Sequence, residues 1–156
     1  MSSYLSFYLR KKGTDVYVPL YSISRSNYLY QAFDDEFGSH TDKKGTCLPI
    51  SQADLNVLHR RLETQLCNYT NRITELENQL KEIGSWNNSV EEKLEAIAQR
   101  QEYIDGYKEE REYVNYAVAT VSVFMSIEEE QYKPEHPILY AGIDGHAPDY
   151  KEGDEE

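Results

Sequence analysis

Residues 51–83 read SQADLNVLHRRLETQLCNYTNRITELENQLKEI. Within them Leu55, Leu58, Leu62, Leu66, Tyr69, Ile73, Leu76, Leu80 and Ile83 follow one another at steps of three and four. That spacing holds them on one side of an α-helix with a repeat near 3.5 residues, the pattern of a coiled-coil seam. Ser51 with Asp54 three residues later is a capping-box pattern, with Asp in place of the usual Glu. A helix over 52–83 is roughly 48 Å long at ~1.5 Å per residue.

Downstream, Gly84-Ser85-Trp86-Asn87-Asn88 breaks the helix, and Ser89 with Glu92 starts a second by the same capping logic. Val90, Leu94, Ile97, Gln101, Ile104, Tyr107, Arg111, Val114, Val118, Val121 and Met125 continue one face, polar in the middle and apolar from Val114 onward. So short a connection predicts an antiparallel αα-hairpin ending before Pro134. If Ile83 faces Val90, Leu55 lies near Val118, and the apolar run after it overshoots the start of the first long helix. That overshoot needs a cover.

The cover is expected upstream and downstream of the hairpin. Residues 4–9 alternate, with Tyr4, Ser6 and Tyr8 opposite Leu5, Phe7 and Leu9. After Lys12-Gly13-Thr14-Asp15, residues 16–24 alternate again, which predicts a β-hairpin. Pro19 cannot donate to a ladder, so its strand is an edge or is broken there. Ser26 is placed to cap a short helix over 27–37, on the stripe Leu29, Ala32, Phe33 and Phe37. Residues 38–45 read as a loop, 47–50 as a short extended piece and 136–142 as a third strand beside the hairpin.

The expected fold is α+β: a small antiparallel β-sheet head, an N-terminal hairpin plus a C-terminal strand, with one short helix and a long antiparallel coiled-coil-like helical hairpin. One domain is expected, organised as a head over 1–50, the helical hairpin over 51–131, a strand returning to the head over 132–144, and an acidic disordered tail over 145–156.

Composition narrows the function classes. The chain carries 16 Lys+Arg against 28 Asp+Glu, net −12, and residues 128–156 alone hold ten acidic and two basic groups. A nucleic-acid binder needs a basic face, so direct nucleic-acid binding is not expected. No apolar run approaches the ~18 residues of a membrane span. The first residues alternate as a strand does and have no secretory pattern, so a cytoplasmic protein without membrane attachment is expected. Cys47 and Cys67 make no disulfide framework or metal pattern. Cys67 and His59 are eight residues apart on one helix, ~12 Å of rise, too far for a thiolate–imidazole pair, so Cys67 reads as a core cysteine.

Enzyme signals are absent: no Gly-rich phosphate loop, HExxH or GxSxG pattern is present. His40, His59, His136 and His146 are not spaced as ligands. Asp144-Gly145-His146 with Asp149 falls short of the ligand count of a calcium loop, and a turn explains it. No catalytic residue, cofactor or metal is expected.

Three features are left for function. The 14 tyrosines are concentrated in the first thirty residues and on the second long helix. Tyr4, Tyr8, Tyr17 and Tyr21 form a candidate partner face, or else pad a lean core. The leucine seam, Leu55, Leu58, Leu62, Leu66, Tyr69, Ile73, Leu76 and Leu80, is either satisfied within one hairpin or shared between chains in a homo-oligomer. Glu91, Glu95, Glu102 and Glu109 form a candidate acidic face, against which stand the interleaved Lys93, Arg100, Lys108 and Arg111, suggestive of i,i+4 pairing on a solvated helix. The expected function is a non-enzymatic protein–protein interaction or assembly protein, self-associating through its helical hairpin and binding a protein partner through the Tyr-rich head. Two alternatives stand beside it. One is a small acidic inhibitor of the viral counter-defence type, blocking a nucleic-acid-binding enzyme by charge mimicry. The other is sequestration of a small ligand between protomers, in a pocket lined by Tyr and Arg.

Overall fold

A computed structural model describes residues 3–41, 46–130 and 138–149. Their elements run β1 (Tyr4–Arg10), β2 (Tyr17–Ser24), α1 (Tyr28–Thr41), β3 (Leu48–Pro49), α2 (Gln52–Ile83), α3 (Val90–Glu130) and β4 (Leu139–Ile143). The fold is α+β, a four-stranded antiparallel sheet with three helices, two of them paired as a hairpin. The chain divides into two compact units: unit 1, Met1–Leu62 with Ala117–Glu156, and unit 2, Glu63–Tyr116.

Unit 1 holds the sheet, in the order β2-β1-β4-β3. β4 pairs with β1, with Leu5 opposite Ile143, Phe7 opposite Ala141 and Leu9 opposite Leu139. Alternation therefore puts Leu5, Phe7, Ala141 and Ile143 on one face. That face is buried with α1 residues Leu29, Ala32 and Phe33, with Leu55, Leu58 and Leu62 of α2, and with Ala117, Val121 and Phe124 of α3. The Phe7 and Phe124 ring centroids are 4.3 Å apart. The apolar end of the second long helix thus finds its cover on the sheet.

Pro19 meets both conditions that a strand proline needs. β2 is an edge strand, and its register with β1 shifts between Phe7 and Tyr8. Phe7 faces Tyr21 while Tyr8 faces Pro19, so Leu20 is the extra residue of a bulge. The turn before β2 uses Gly13 at φ 76°, with the Lys11 N–H donating to Val16 O at 2.8 Å.

Several expectations shift. The short helix is capped by Asn27 rather than Ser26: Asn27 Oδ1 accepts the Leu29 N–H at 2.8 Å, while the Ser26 hydroxyl is 2.9 Å from that of Ser24. The same helix runs on through Gly38 to Thr41, where a loop was expected from residue 38. A Cβ on Gly38 would meet only the exposed Asp34 side chain, which can swing aside. Arg61 of α2 donates to Asp35 Oδ2 at 2.7 Å and to Glu36 Oε1 at 2.8 Å, tying α2 to α1. The third strand is Leu139–Ile143, and the part of the expected 136–142 strand before residue 138 lies outside the described residues. Of the expected acidic tail, residues 150–156 also lie outside them. Residues 145–149 instead follow the sheet: the Cys47 N–H donates to His146 O at 2.9 Å, and Gly145 sits so close to Cys47 that a Cβ would lie 3.1 Å from its Sγ.

Unit 2 holds the C-terminal part of α2 and the N-terminal part of α3. Both capping boxes form, that of α2 lying in unit 1. Ser51 N–H and Asp54 Oδ2 are 3.0 Å apart, with Asp54 N–H to Ser51 Oγ at 3.2 Å. The Glu92 N–H donates to Ser89 Oγ at 3.2 Å, and Ser89 Oγ donates to Glu92 Oε1 at 3.0 Å. The hairpin register differs from the expected one by about four residues, one helical turn. Lys93 Nζ donates to Gly84 O at 3.1 Å, Arg100 Nε donates to Gln79 Oε1 at 2.9 Å, and the Tyr69 and Tyr107 rings are 5.9 Å apart. Val90 therefore does not face Ile83. Trp86 is half-buried, with the Arg100 guanidinium carbon 5.1 Å from its ring centroid.

Candidate functional site

The sheet carries three of the four candidate tyrosines on its outer face and one on its inner face. Tyr4 and Tyr8 alternate with the core residues of β1, and Tyr17 joins them opposite Arg10. Beyond the bulge, Tyr21 lies opposite Phe7 on the core side, its ring 6.4 Å from that of Phe124. Tyr4, Tyr8, Tyr17 and Tyr21 are thus not brought onto one surface. A two-residue alternation cannot show this, because one inserted residue reverses every side chain after it.

On the outer face Tyr4 is 47 % exposed, and Tyr8 and Tyr17 are half-buried. Tyr17 packs edge-on against Tyr140 at 5.1 Å, and Arg10 is only 2 % exposed, donating from Nη1 to Thr14 O at 2.9 Å. Burial and a hydrogen bond with Tyr17 push the Tyr140 phenol up to about 12. Burial pushes the Cys47 thiol up to about 12 as well, which keeps it protonated and a poor nucleophile. Cys67 is exposed, not in the core as expected, because it follows Leu66 a quarter turn further round α2. Asp144 and Asp149 are occupied by the backbone: Asp144 Oδ1 accepts the Tyr4 N–H at 3.1 Å, and Asp149 Oδ2 lies 3.5 Å from the Tyr17 nitrogen.

The leucine seam is largely used inside each unit. Leu55, Leu58 and Leu62 are 0 % exposed in the core of unit 1. In unit 2 Ile73 is buried, and Leu66, Tyr69, Leu76 and Leu80 are half-buried.

Helix α3 departs most from its expected facing. Val90, Leu94 and Ile97 are 71 %, 60 % and 40 % exposed. At 100° per residue they share an arc of about 60°, an outward apolar stripe. The inward positions of this stretch belong to Lys93, Ala96, Arg100, Ile104 and Tyr107. Glu91, Glu95, Glu102 and Glu109 are all exposed and fall within about 40° of one another, about a quarter turn from the stripe. Lys93, Arg100 and Arg111 lie about half a turn from this row, where Lys93 and Arg100 bond to Gly84 and Gln79. Three of the four cations that interleave with the glutamates in sequence are therefore turned away from them, and the fourth, Lys108, is exposed about a third of a turn from the row. Glu92, in the capping box, is held below the usual carboxylate range by hydrogen bonds from Asn88 and Ser89.

Between the two helices of unit 2 lies a groove of about 430 Å³, lined by Arg72, Gln79, Gln99, Arg100, Tyr103 and Tyr107 together with Glu75 and Leu76. None of the sequence signals pointed to it. Its residues come from two helices, and they meet only in the observed register.

No family model, curated protein or solved structure matches the chain. Among the described residues no helix is long and apolar enough to cross a membrane.

Proposed function

We propose that the chain is a non-enzymatic partner-binding protein whose contact face is the outer side of α3 in unit 2. The carrying observation is the juxtaposition there of an uncovered stripe, Val90, Leu94 and Ile97, with a row of carboxylates, Glu91, Glu95, Glu102 and Glu109. Like charges four residues apart, as at Glu91 and Glu95, cost an isolated helix about 0.2–0.5 kcal/mol. Val90 and Leu94 leave most of their surface, and Ile97 part of its own, uncovered by unit 2. A partner presenting an apolar strip edged with Lys or Arg turns both into favourable contacts. This is the inhibitor alternative in general form, since a basic groove of a nucleic-acid-processing enzyme is one such surface. Self-association is disfavoured on this face, because a second copy brings a second acidic row.

The test is quantitative capture of proteins from an extract of the source cell or of its host, at low and at high salt. The bait is wild type, the charge reversal E91K/E95K/E102K, or the stripe variant V90S/L94S/I97S. A basic partner that is lost in high salt and with both variants supports the reading. Partners that both variants retain overturn it. Light scattering behind size-exclusion chromatography is run alongside. A stoichiometric homo-oligomer that survives high salt and dissolves on V90S/L94S/I97S moves the assignment to self-assembly.

A further inference from the structure

We propose that the groove of unit 2 is a mononucleotide site. The inference is independent of the outer face of α3 and concerns the side chains between the helices. In a chain of net charge −12, this groove gathers two guanidiniums, Arg72 and Arg100, against one carboxylate, Glu75. Arg100 is held by several contacts, and Arg72 is exposed with polar neighbours of its own. Arg72 Nη1 lies 3.3 Å from Glu75 Oε2, and its guanidinium is hydrogen-bonded to the Tyr107 phenol. Arg100 donates from Nε to Gln79 Oε1 at 2.9 Å and from Nη1 to Ala96 O at 3.3 Å, and it stacks over Trp86. Nη2 of Arg100 makes no hydrogen bond among the described residues. Two guanidiniums on one groove with N–H donors to spare, Arg100 oriented and Arg72 able to reach, are suited to the oxygens of a phosphate.

The rest of the lining suits a heterocyclic base. Tyr103 is 52 % exposed, so its ring is open to stacking. The Gln99 amide offers a donor and an acceptor, and Gln79, whose oxygen accepts from Arg100, offers its NH2, which together suit a base edge. A volume of about 430 Å³ is within the range of small-molecule sites. Charge sets the length of the ligand. Gln99 also lines a second depression, bounded by Asn88, Glu92 and Glu95. A longer strand running that way meets two carboxylates, so the ligand is a single nucleotide rather than a polynucleotide.

The lone Trp86 beneath Arg100 provides a reporter. The experiment titrates the full chain with the four ribonucleoside 5′-monophosphates, following Trp86 emission and heat by calorimetry. Adenosine and inorganic phosphate serve as half-ligands. At least one nucleotide is expected to bind saturably with a Kd below about 1 mM. Its affinity is expected to fall at least about tenfold with Arg72→Gln and with Tyr103→Ala, and each half-ligand to bind at least about tenfold more weakly. Both substituted side chains are largely exposed, and circular dichroism checks that helicity is retained. No saturable signal with any of the four overturns the proposal. So does phosphate binding as tightly as the nucleotide, or an affinity unchanged in both variants.

Discussion

Unit 1 and unit 2 use the same two long helices in opposite ways. In unit 1 the helices are the cover of a sheet, and large apolar side chains from β1, β2, β4, α1, α2 and α3 meet in one core. In unit 2 the helices have only each other. Their buried apolar residues are Ile73, Ile83, Ile104 and Val114, with contacts between Tyr69 and Tyr107 and between Arg100 and Gln79 filling the intervals. A helix with three neighbours buries most of its circumference, whereas a helix with one neighbour leaves most of it to solvent. Apolar and acidic residues on that free surface are thereby available for a partner, and polar residues between the helices for a ligand.

This contrast can be broken by substitution. The largest effect is expected for Phe7→Ala, which removes a buried ring lying 4.3 Å from Phe124. Urea unfolding is expected to show a loss of about 3–5 kcal/mol. Ile104→Ala leaves a hole in the thinner interface of unit 2, and about 2–4 kcal/mol is expected. Amide exchange is expected to place that loss in residues 63–116, and faster exchange throughout β1 and β4 instead would show that the units do not open separately.

Glu128 sharpens the comparison through pH. Its Oε2 is buried without a hydrogen-bond partner, and burial raises its carboxyl above the ordinary glutamate value, opposed by a backbone hydrogen bond with Leu139. The folded state then holds a proton that the unfolded state releases in the window just above the ordinary value. Stability therefore falls as pH rises through that window. Glu128→Gln is expected to stabilise unit 1 at neutral pH and to flatten the unfolding profile in the window just above the ordinary glutamate value. A profile unchanged by the substitution would remove Glu128 as the cause.

The smallest effect is expected for Leu94→Ser, at 60 % exposure. A change within about 0.5 kcal/mol marks it as surface. A loss several times larger would mean that Leu94 is covered in solution, by a second copy or another molecule, and light scattering would distinguish these.

Much of the fold was legible because its signals are local. The capping pairs Ser51/Asp54 and Ser89/Glu92, the seam from Leu55 to Ile83, the alternation of β1 and the restriction at Pro19 each depend on residues close in the chain. The facing of Val90, Leu94 and Ile97 was not legible. Their spacing is that of a buried face, but α3 is rotated so that Lys93, Ala96 and Arg100 point inward instead, about a quarter turn away. The side of the sheet taken by Tyr21 was equally hidden, since one residue inserted at Leu20 decides it. The groove was hidden for the same reason as the hairpin register, because Arg72 and Arg100 are on different helices.

By itself the sequence determined the element types, the antiparallel hairpin and the acidic surplus, since propensity, caps and charge act over a few residues. Only the tertiary structure decided which side of each element is covered. Coverage follows from register, and register is set jointly by residues far apart in the chain: Trp86 with Arg100, Phe7 with Phe124, and Leu20 with the bulge it forms.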